Sequence, residues 1–208
     1  VPRLEDLNRH HEDLRRRVRA FAKSLGWSPV EITYHNAANG EVLRSASDLT
    51  GLYVRTIPDI VLSNGEETLL VEVKTHVSTR YSDATIELLP LVTARTLWEF
   101  VGVRTIYVYE DPNAGISAAW WAHDVFGTLP VKAVYVSTQK PGWERLDGQI
   151  ALWRFSGVIP EGVPVVKTQP KGSGDPFVVI PEAAVRGLPP WEEVLGRVLG
   201  RPREAAPR

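Results

Sequence analysis

Residues 51–76 read GLYVRTIPDIVLSNGEETLLVEVKTH, and this stretch decides the fold. Two apolar runs, residues 57–62 and 69–73, flank Asn64-Gly65, the strongest short signal for a β-hairpin. Side chains alternate faces along a strand, so Glu72 and Lys74 point to one side. The length of the turn then decides where Asp59 falls. A two-residue turn sets Asp59 opposite Leu70, which shares a face with Glu72 and Lys74, and a four-residue loop made of residues 64–67 sets it directly opposite Glu72. A three-residue loop sends Asp59 to the other face and separates the group.

In the first two registers, two carboxylates and one ammonium share a face inside strands whose other residues are apolar. Such charges are costly there unless paired or functional. Two carboxylates at close range repel and favour a divalent cation between them, and hard oxygen donors select Mg²⁺, with Mn²⁺ as a substitute, over zinc. Asp59 and Glu72 are therefore candidate metal ligands, with the backbone carbonyl of Val73 as a further one. An ion at that position lowers the pKa of bound water and clamps a phosphate. Lys74 beside it orients the water or stabilises the transition state. The competing reading is a structural ion pair in an ordinary α/β domain.

Working outward, apolar positions Leu4, Leu7, Leu14, Val18, Phe21, Ala22 and Leu25 recur mostly at three- and four-residue steps, which predicts an amphipathic helix stopped by Gly26. A short strand over 30–34 precedes the hairpin. Downstream, the pattern predicts a helix over 85–101 (or from Pro90) ended by Gly102, a strand over 104–109, a helical stretch over 118–126 and a strand over 131–136. This order implies an α/β fold with a mixed sheet flanked by helices. After Ser137 the texture becomes rich in Gly and Pro, with short strands over 149–155, 163–167 and 176–180 and a closing helix over 191–199. The expected division is a core over 1–137 and an accessory, β-rich region over 138–208 that belongs to the same domain or packs beside it.

Composition narrows the functions. The 208 residues are 43% hydrophobic and 24% charged, enough apolar content to build a core. No apolar run approaches the roughly 18 residues that a membrane-spanning helix needs. The charged opening VPRLEDLNRHHEDLRRR reads against a secretory signal, so the expectation is a cytoplasmic protein with no membrane partner. The absence of cysteine excludes disulfides, thiolate metal sites and cysteine nucleophiles. A net charge of −1 means that any phosphate-binding surface is local rather than a broad basic face. Arginine outnumbers lysine 18 to 6 and methionine is absent, as in a heat-adapted source or a GC-rich genome.

The segment IPDIVLSNGEETLLVEVK resembles the core of the PD-(D/E)xK nuclease superfamily, in which PD closes one strand and ExK lies on the next. The resemblance covers residues 4–137 in architecture and about twenty residues in motif. It implies a restriction-endonuclease-like αβββαβ core and a Mg²⁺-dependent nuclease acting on DNA, most simply a homodimeric endonuclease. In that family's pattern Asp59 and Glu72 bind metal and Lys74 is the catalytic lysine. A first-helix glutamate corresponds to Glu12, with Asp13 and Glu5 as alternatives. The helix after ExK reads IELLPLVTARTLWEF and lacks the glutamine and tyrosine of exonuclease-like branches; Arg95 or Thr93 takes the equivalent surface. The EVK stretch and its following loop and helix are also similar to archaeal Holliday junction resolvases, leaving that branch and the restriction-like branch both open. A catalytically inactive DNA-binding or assembly module of the same fold is the alternative function. Arg55, His76 and Arg80 are candidate phosphate contacts. Arg15, Arg16, Arg17 and Arg19 read either as further contacts or as a solvated helix face, and Trp120, Trp121 and Trp143 read as packing or base-stacking residues.

Overall fold

The computed structural model describes residues 4–32, 56–77, 83–137, 159–168 and 176–200. Among the described residues there are two mixed sheets and four α-helices. The first sheet runs in the order β1 (Ser28–Glu31), β2 (Ile60–Ser63), β3 (Thr68–Thr75), β5 (Arg104–Asp111), β6 (Ile116–Trp121), with only the β3–β5 pair parallel. The second runs β4 (Ala84–Glu87), β9 (Phe177–Ile180), β7 (Ala133–Ser137), β8 (Val165–Thr168), with only β7–β8 parallel. Helices α1 (Leu4–Ser24), α2 (Leu88–Val101), α3 (Glu182–Arg186) and α4 (Trp191–Leu199) complete it. Among the described residues, no helix is long and apolar enough to cross a membrane.

The strand alternation of the first sheet sorts its side chains into two cores. Leu69, Val71 and Val73 of β3 and Ile106 and Val108 of β5 pack with Leu14, Val18 and Ala22 of α1 and with Trp191, Leu195 and Leu199 of α4. On the other face Tyr107 and Tyr109 of β5 join α2 and the second sheet through Leu91, Ile86, Val134 and Val178. The first sheet is thus the middle layer, covered by two helices on one side and by a helix with a second sheet on the other. Glu72 and Lys74 belong to that second face.

Helix α1 follows the expected period and ends at Gly26, whose φ of +83° suits a glycine at the left-handed stop. Gly102 closes α2 in the same way at φ +76°. Pro90 sits in the first turn of α2, where its missing N–H removes no helical bond.

Two expectations fail for a common reason. Residues 84–87 are a strand rather than the start of the helix, because Ala84 and Ile86 are buried in pairing with β9, nearly a hundred residues away. The stretch over 118–126 is not helical: β6 forms a hairpin with β5, followed by a single 3-10 turn, Ala122–Asp124. Ile116, Ala118 and Trp120 face one core and Ala119 the other, so a strand buried on both sides carries no alternation that a sequence reader would notice. Consequently β4 and β6 depart from a bare αβββαβ order. Strand β9 lies between β4 and β7, so residues on both sides of position 138 share one sheet. The expected strand over 149–155, and Trp143, lie outside the described residues.

Leu14 is fully buried between α1 and the first sheet. Leu14→Ala is expected to lower unfolding free energy by about 2–5 kcal/mol, from lost burial and the cavity left behind. Urea denaturation followed by circular dichroism checks this.

Candidate metal and phosphate site

The β2–β3 turn is the four-residue one. Ser63 pairs with Thr68 and Ile60 with Val71, so the next step along the ladder sets Asp59 across from Glu72. Asn64 builds this turn: its side-chain oxygen accepts the N–H groups of Glu66 and Glu67 at 2.9 and 2.8 Å, while Gly65 takes φ +91°. Directly opposed residues in an antiparallel pair have Cβ atoms about 4.5–5.5 Å apart. Asp59 also extends the ladder with its own side chain, since Val73 N–H donates to Oδ2 at 2.8 Å.

Lys74 Nζ lies 2.9 Å from Glu72 Oε1 and donates to Glu87 Oε2 at 3.0 Å. Burial pushes the Glu72 carboxyl up to about 7; Lys74 opposes that shift, while the negative charges of Asp59 and Glu87 add to it. Burial also pulls against the Lys74 ammonium, but Glu72 and Glu87 outweigh it and hold its pKa well above the ordinary lysine value. Glu72 and Glu87 thus share one ammonium, with Asp59 near enough to act on Glu72. That local excess of negative charge is the condition a divalent cation relieves.

Helix α1 closes the other side of Asp59. His11 Nε2 donates to the Val73 carbonyl oxygen at 3.0 Å and lies 3.8 Å from Asp59 Oδ2. Arg15, one turn later, is 0% exposed; its Nε lies 3.8 Å from Asp59 Oδ1, its Nη1 donates to Glu12 at 2.8 Å, and it is ion-paired with Glu31. A buried guanidinium with three acidic neighbours holds the helix against the strand ends and orients Asp59.

The structure therefore brings Glu72 and Lys74 into contact and places Asp59 across from Glu72. Glu12 is apart from them: its side chain is 58% exposed and tied to Arg15. The Val73 carbonyl faces His11. His76 bonds Asp111 through Nδ1 at 3.1 Å. Arg55 and Arg80 lie outside the described residues. Arg16, Arg17 and Arg19 are paired with Asp13, Glu110 and Glu31, and Trp120 packs against Tyr107 and Tyr109. Arg15, expected as a phosphate contact or on a solvated face, is instead sealed against Glu12, Glu31 and Asp59, and His11 and Glu87 were missed. The i, i+4 spacing of His11 and Arg15 on one helix face was the available signal for His11.

Among the described residues, no group of three or more His, Asp or Glu side chains is arranged to hold a metal. The donors present still fit one class of ion: Mg²⁺ is commonly held by one or two carboxylates, with waters and substrate oxygens filling its octahedron. Asp59 and Glu72 are such a pair.

A testable consequence follows from Glu72. Its folded pKa is raised above the ordinary glutamate value of 4.5, so between about 4.5 and 7 the native state binds more protons than the unfolded chain. Stability of the metal-free protein from this group therefore falls as pH rises through that window. Glu72→Gln is expected to flatten this part of the profile, measured by denaturant titrations at stepped pH.

No protein-family model matches the chain, and no curated protein matches it. Among solved structures, Hjc of Archaeoglobus fulgidus, a Holliday junction resolvase from an archaeal hyperthermophile, is similar over 94% of this chain and 99% of its own, with TM-score 0.45 and 11% identity. A likeness at that level assigns no role to any residue.

Proposed function

We propose that the chain is a divalent-metal-dependent nuclease that hydrolyses DNA phosphodiester bonds, as an endonuclease acting in a two-fold pair. The observation that carries this reading is the hairpin register: Asp59 stands across from Glu72, with Lys74 2.9 Å from Glu72 on the same face. The PD…ExK resemblance of residues 57–74 points the same way.

In this reading Asp59 and Glu72 hold Mg²⁺ or Mn²⁺, which supplies acidification of water and neutralisation of phosphate charge. Asp59 is kept in place by Val73 N–H and faces His11 and Arg15. Lys74 stays cationic because two carboxylates flank it, so it can orient the attacking water or a phosphate oxygen by hydrogen bonding. Glu72, whose carboxyl burial raises to about 7 despite Lys74, would be a full carboxylate with a divalent ion beside it. Glu12 supports the site through Arg15 rather than from within it.

One observation favours a second reading, a catalytically silent DNA-binding or assembly module. Lys74 is held between Glu72 and Glu87, a closed link that a purely structural role also explains.

Linear, nicked, branched and single-stranded DNA incubated with Mg²⁺ or Mn²⁺ separates the two. Cleavage is expected with wild type. Asp59→Ala, Glu72→Ala and Lys74→Ala are each expected to lower it by about 10²-fold or more while circular dichroism is unchanged. Asp59→Ala and Glu72→Ala should also weaken Mn²⁺ binding by calorimetry. Undiminished cleavage in these variants overturns the site, and DNA binding without cleavage across all substrates and both metals selects the silent module.

A further inference from the structure

Strand β3 does not end its charged face at Lys74. In the parallel ladder with β5, Glu72 stands beside Tyr107 and Lys74 beside Tyr109. Thr75 pairs with Glu110, and His76 N–H donates to the Glu110 carbonyl at 2.9 Å. The next residue pair on the Glu72–Lys74 face is therefore His76 with Asp111, and His76 Nδ1 lies 3.1 Å from Asp111 Oδ2.

Asp111 is 0% exposed, so its carboxyl must find partners inside the protein. Oδ1 accepts the N–H groups of Asn113 and Ala114 at 3.0 and 3.1 Å, which builds the β5–β6 turn. That task uses one oxygen. Oδ2 is left to the imidazole, which the turn does not require. A carboxylate only accepts, so Nδ1 carries the hydrogen and Nε2 is the free ring nitrogen. The His76 side chain is 25% exposed, so the ring is open to solvent while its partner is sealed in.

The geometry points to His76 as the group that protonates the leaving sugar oxygen during phosphodiester hydrolysis, with Asp111 as its positioning residue; this rests on the nuclease reading above. Two residues along a strand span about 6.6 Å, so His76 stands one same-face position beyond Lys74, away from Glu72. In an in-line displacement the attacking and leaving oxygens lie on opposite sides of phosphorus. A group beyond Lys74 then faces the leaving side when the carboxylates face the attacking one. The water oxygen bonds to phosphorus and releases a proton to solvent. The bond from phosphorus to the leaving oxygen breaks, its electron pair goes to that oxygen, and the proton comes from Nε2 of the doubly protonated His76 ring, which is left neutral with its hydrogen on Nδ1. Solvent then returns a proton to Nε2, and Asp111 holds the ring by its Nδ1–H throughout.

Among the described residues, few charges surround this ring. Lys74 lies before it on β3 with Glu87 at its far side, and Asp111 faces it from β5. The Glu110 carboxylate is turned to the opposite face, where Arg17 and Trp191 hold it. Asp83 and Glu182 act on the neighbouring Tyr109.

The test compares an ordinary DNA phosphodiester with the same substrate carrying sulfur at the leaving position, where a thiolate departs without a proton. The full chain, His76→Gln and Asp111→Asn are assayed with Mn²⁺ across pH. His76→Gln is expected to slow the oxygen substrate by about 10²-fold or more and to cleave the sulfur substrate at close to the wild-type rate. Its Mn²⁺ affinity by calorimetry should equal that of wild type. Asp111→Asn keeps an oxygen for the turn but removes the charged acceptor of the ring N–H. It should therefore slow the oxygen substrate and leave the sulfur substrate close to the wild-type rate. Equal slowing of both substrates by His76→Gln, or no slowing of either, overturns the role of His76 and leaves the nuclease reading standing. A wild-type chain that cleaves neither substrate overturns the nuclease reading and this inference with it.

Discussion

The four-residue turn between β2 and β3 is the constraint on which the site depends. Asn64 uses its side chain to satisfy the amides of Glu66 and Glu67, and Gly65 supplies the positive φ that an ordinary residue resists. These local bonds set Ser63 against Thr68. Because side chains alternate along a strand, one residue more or fewer in the turn would carry Asp59 to the other face. The even turn fixes the backbone register, but the Asp59 carboxylate itself meets Val73 N–H and, from α1, His11 and Arg15, while Lys74 meets Glu72 and Glu87.

Placing charge on that face has a thermodynamic consequence. Glu72 and Lys74 sit among apolar strand residues, where an isolated ion would be severely destabilising. Their mutual contact, with Glu87 as a second acceptor for Lys74, reduces that penalty without balancing the charges, since two acids flank one ammonium. Burial raises the Glu72 carboxyl here, and buried pairs of this kind contribute little to stability in their own right.

The first helix links packing to the site. Leu14, Val18 and Ala22 seat it against the sheet, and the residues between them decide what faces the strand ends. His11 and Arg15 come round one turn apart on the face that meets Val73 and Asp59. An arginine with no solvent exposure, next to Glu12, Glu31 and Asp59, is a positioning device that links the helix to the hairpin. On the other side of the sheet, His76 and Asp111 continue the Glu72–Lys74 row by one residue.

Local chemistry determined a good deal by itself. The period of α1, the Gly26 and Gly102 stops, the hairpin at Asn64-Gly65 and the shared face of Glu72 and Lys74 all follow from residues within a few positions of one another. Turn length narrowed Asp59 to two acceptable registers and one unacceptable one, and only the folded hairpin chose between them. The partners were beyond sequence. Ala84 and Ile86 become strand because β9 lies beside them, β6 looks helical until it is seen buried on both faces, and Glu87 meets Lys74 only because the chain turns back between them. Spacing along a chain reports which side a residue faces. It does not report what waits on that side, because long-range pairing energy depends on contacts that bring distant segments together and leaves no local mark.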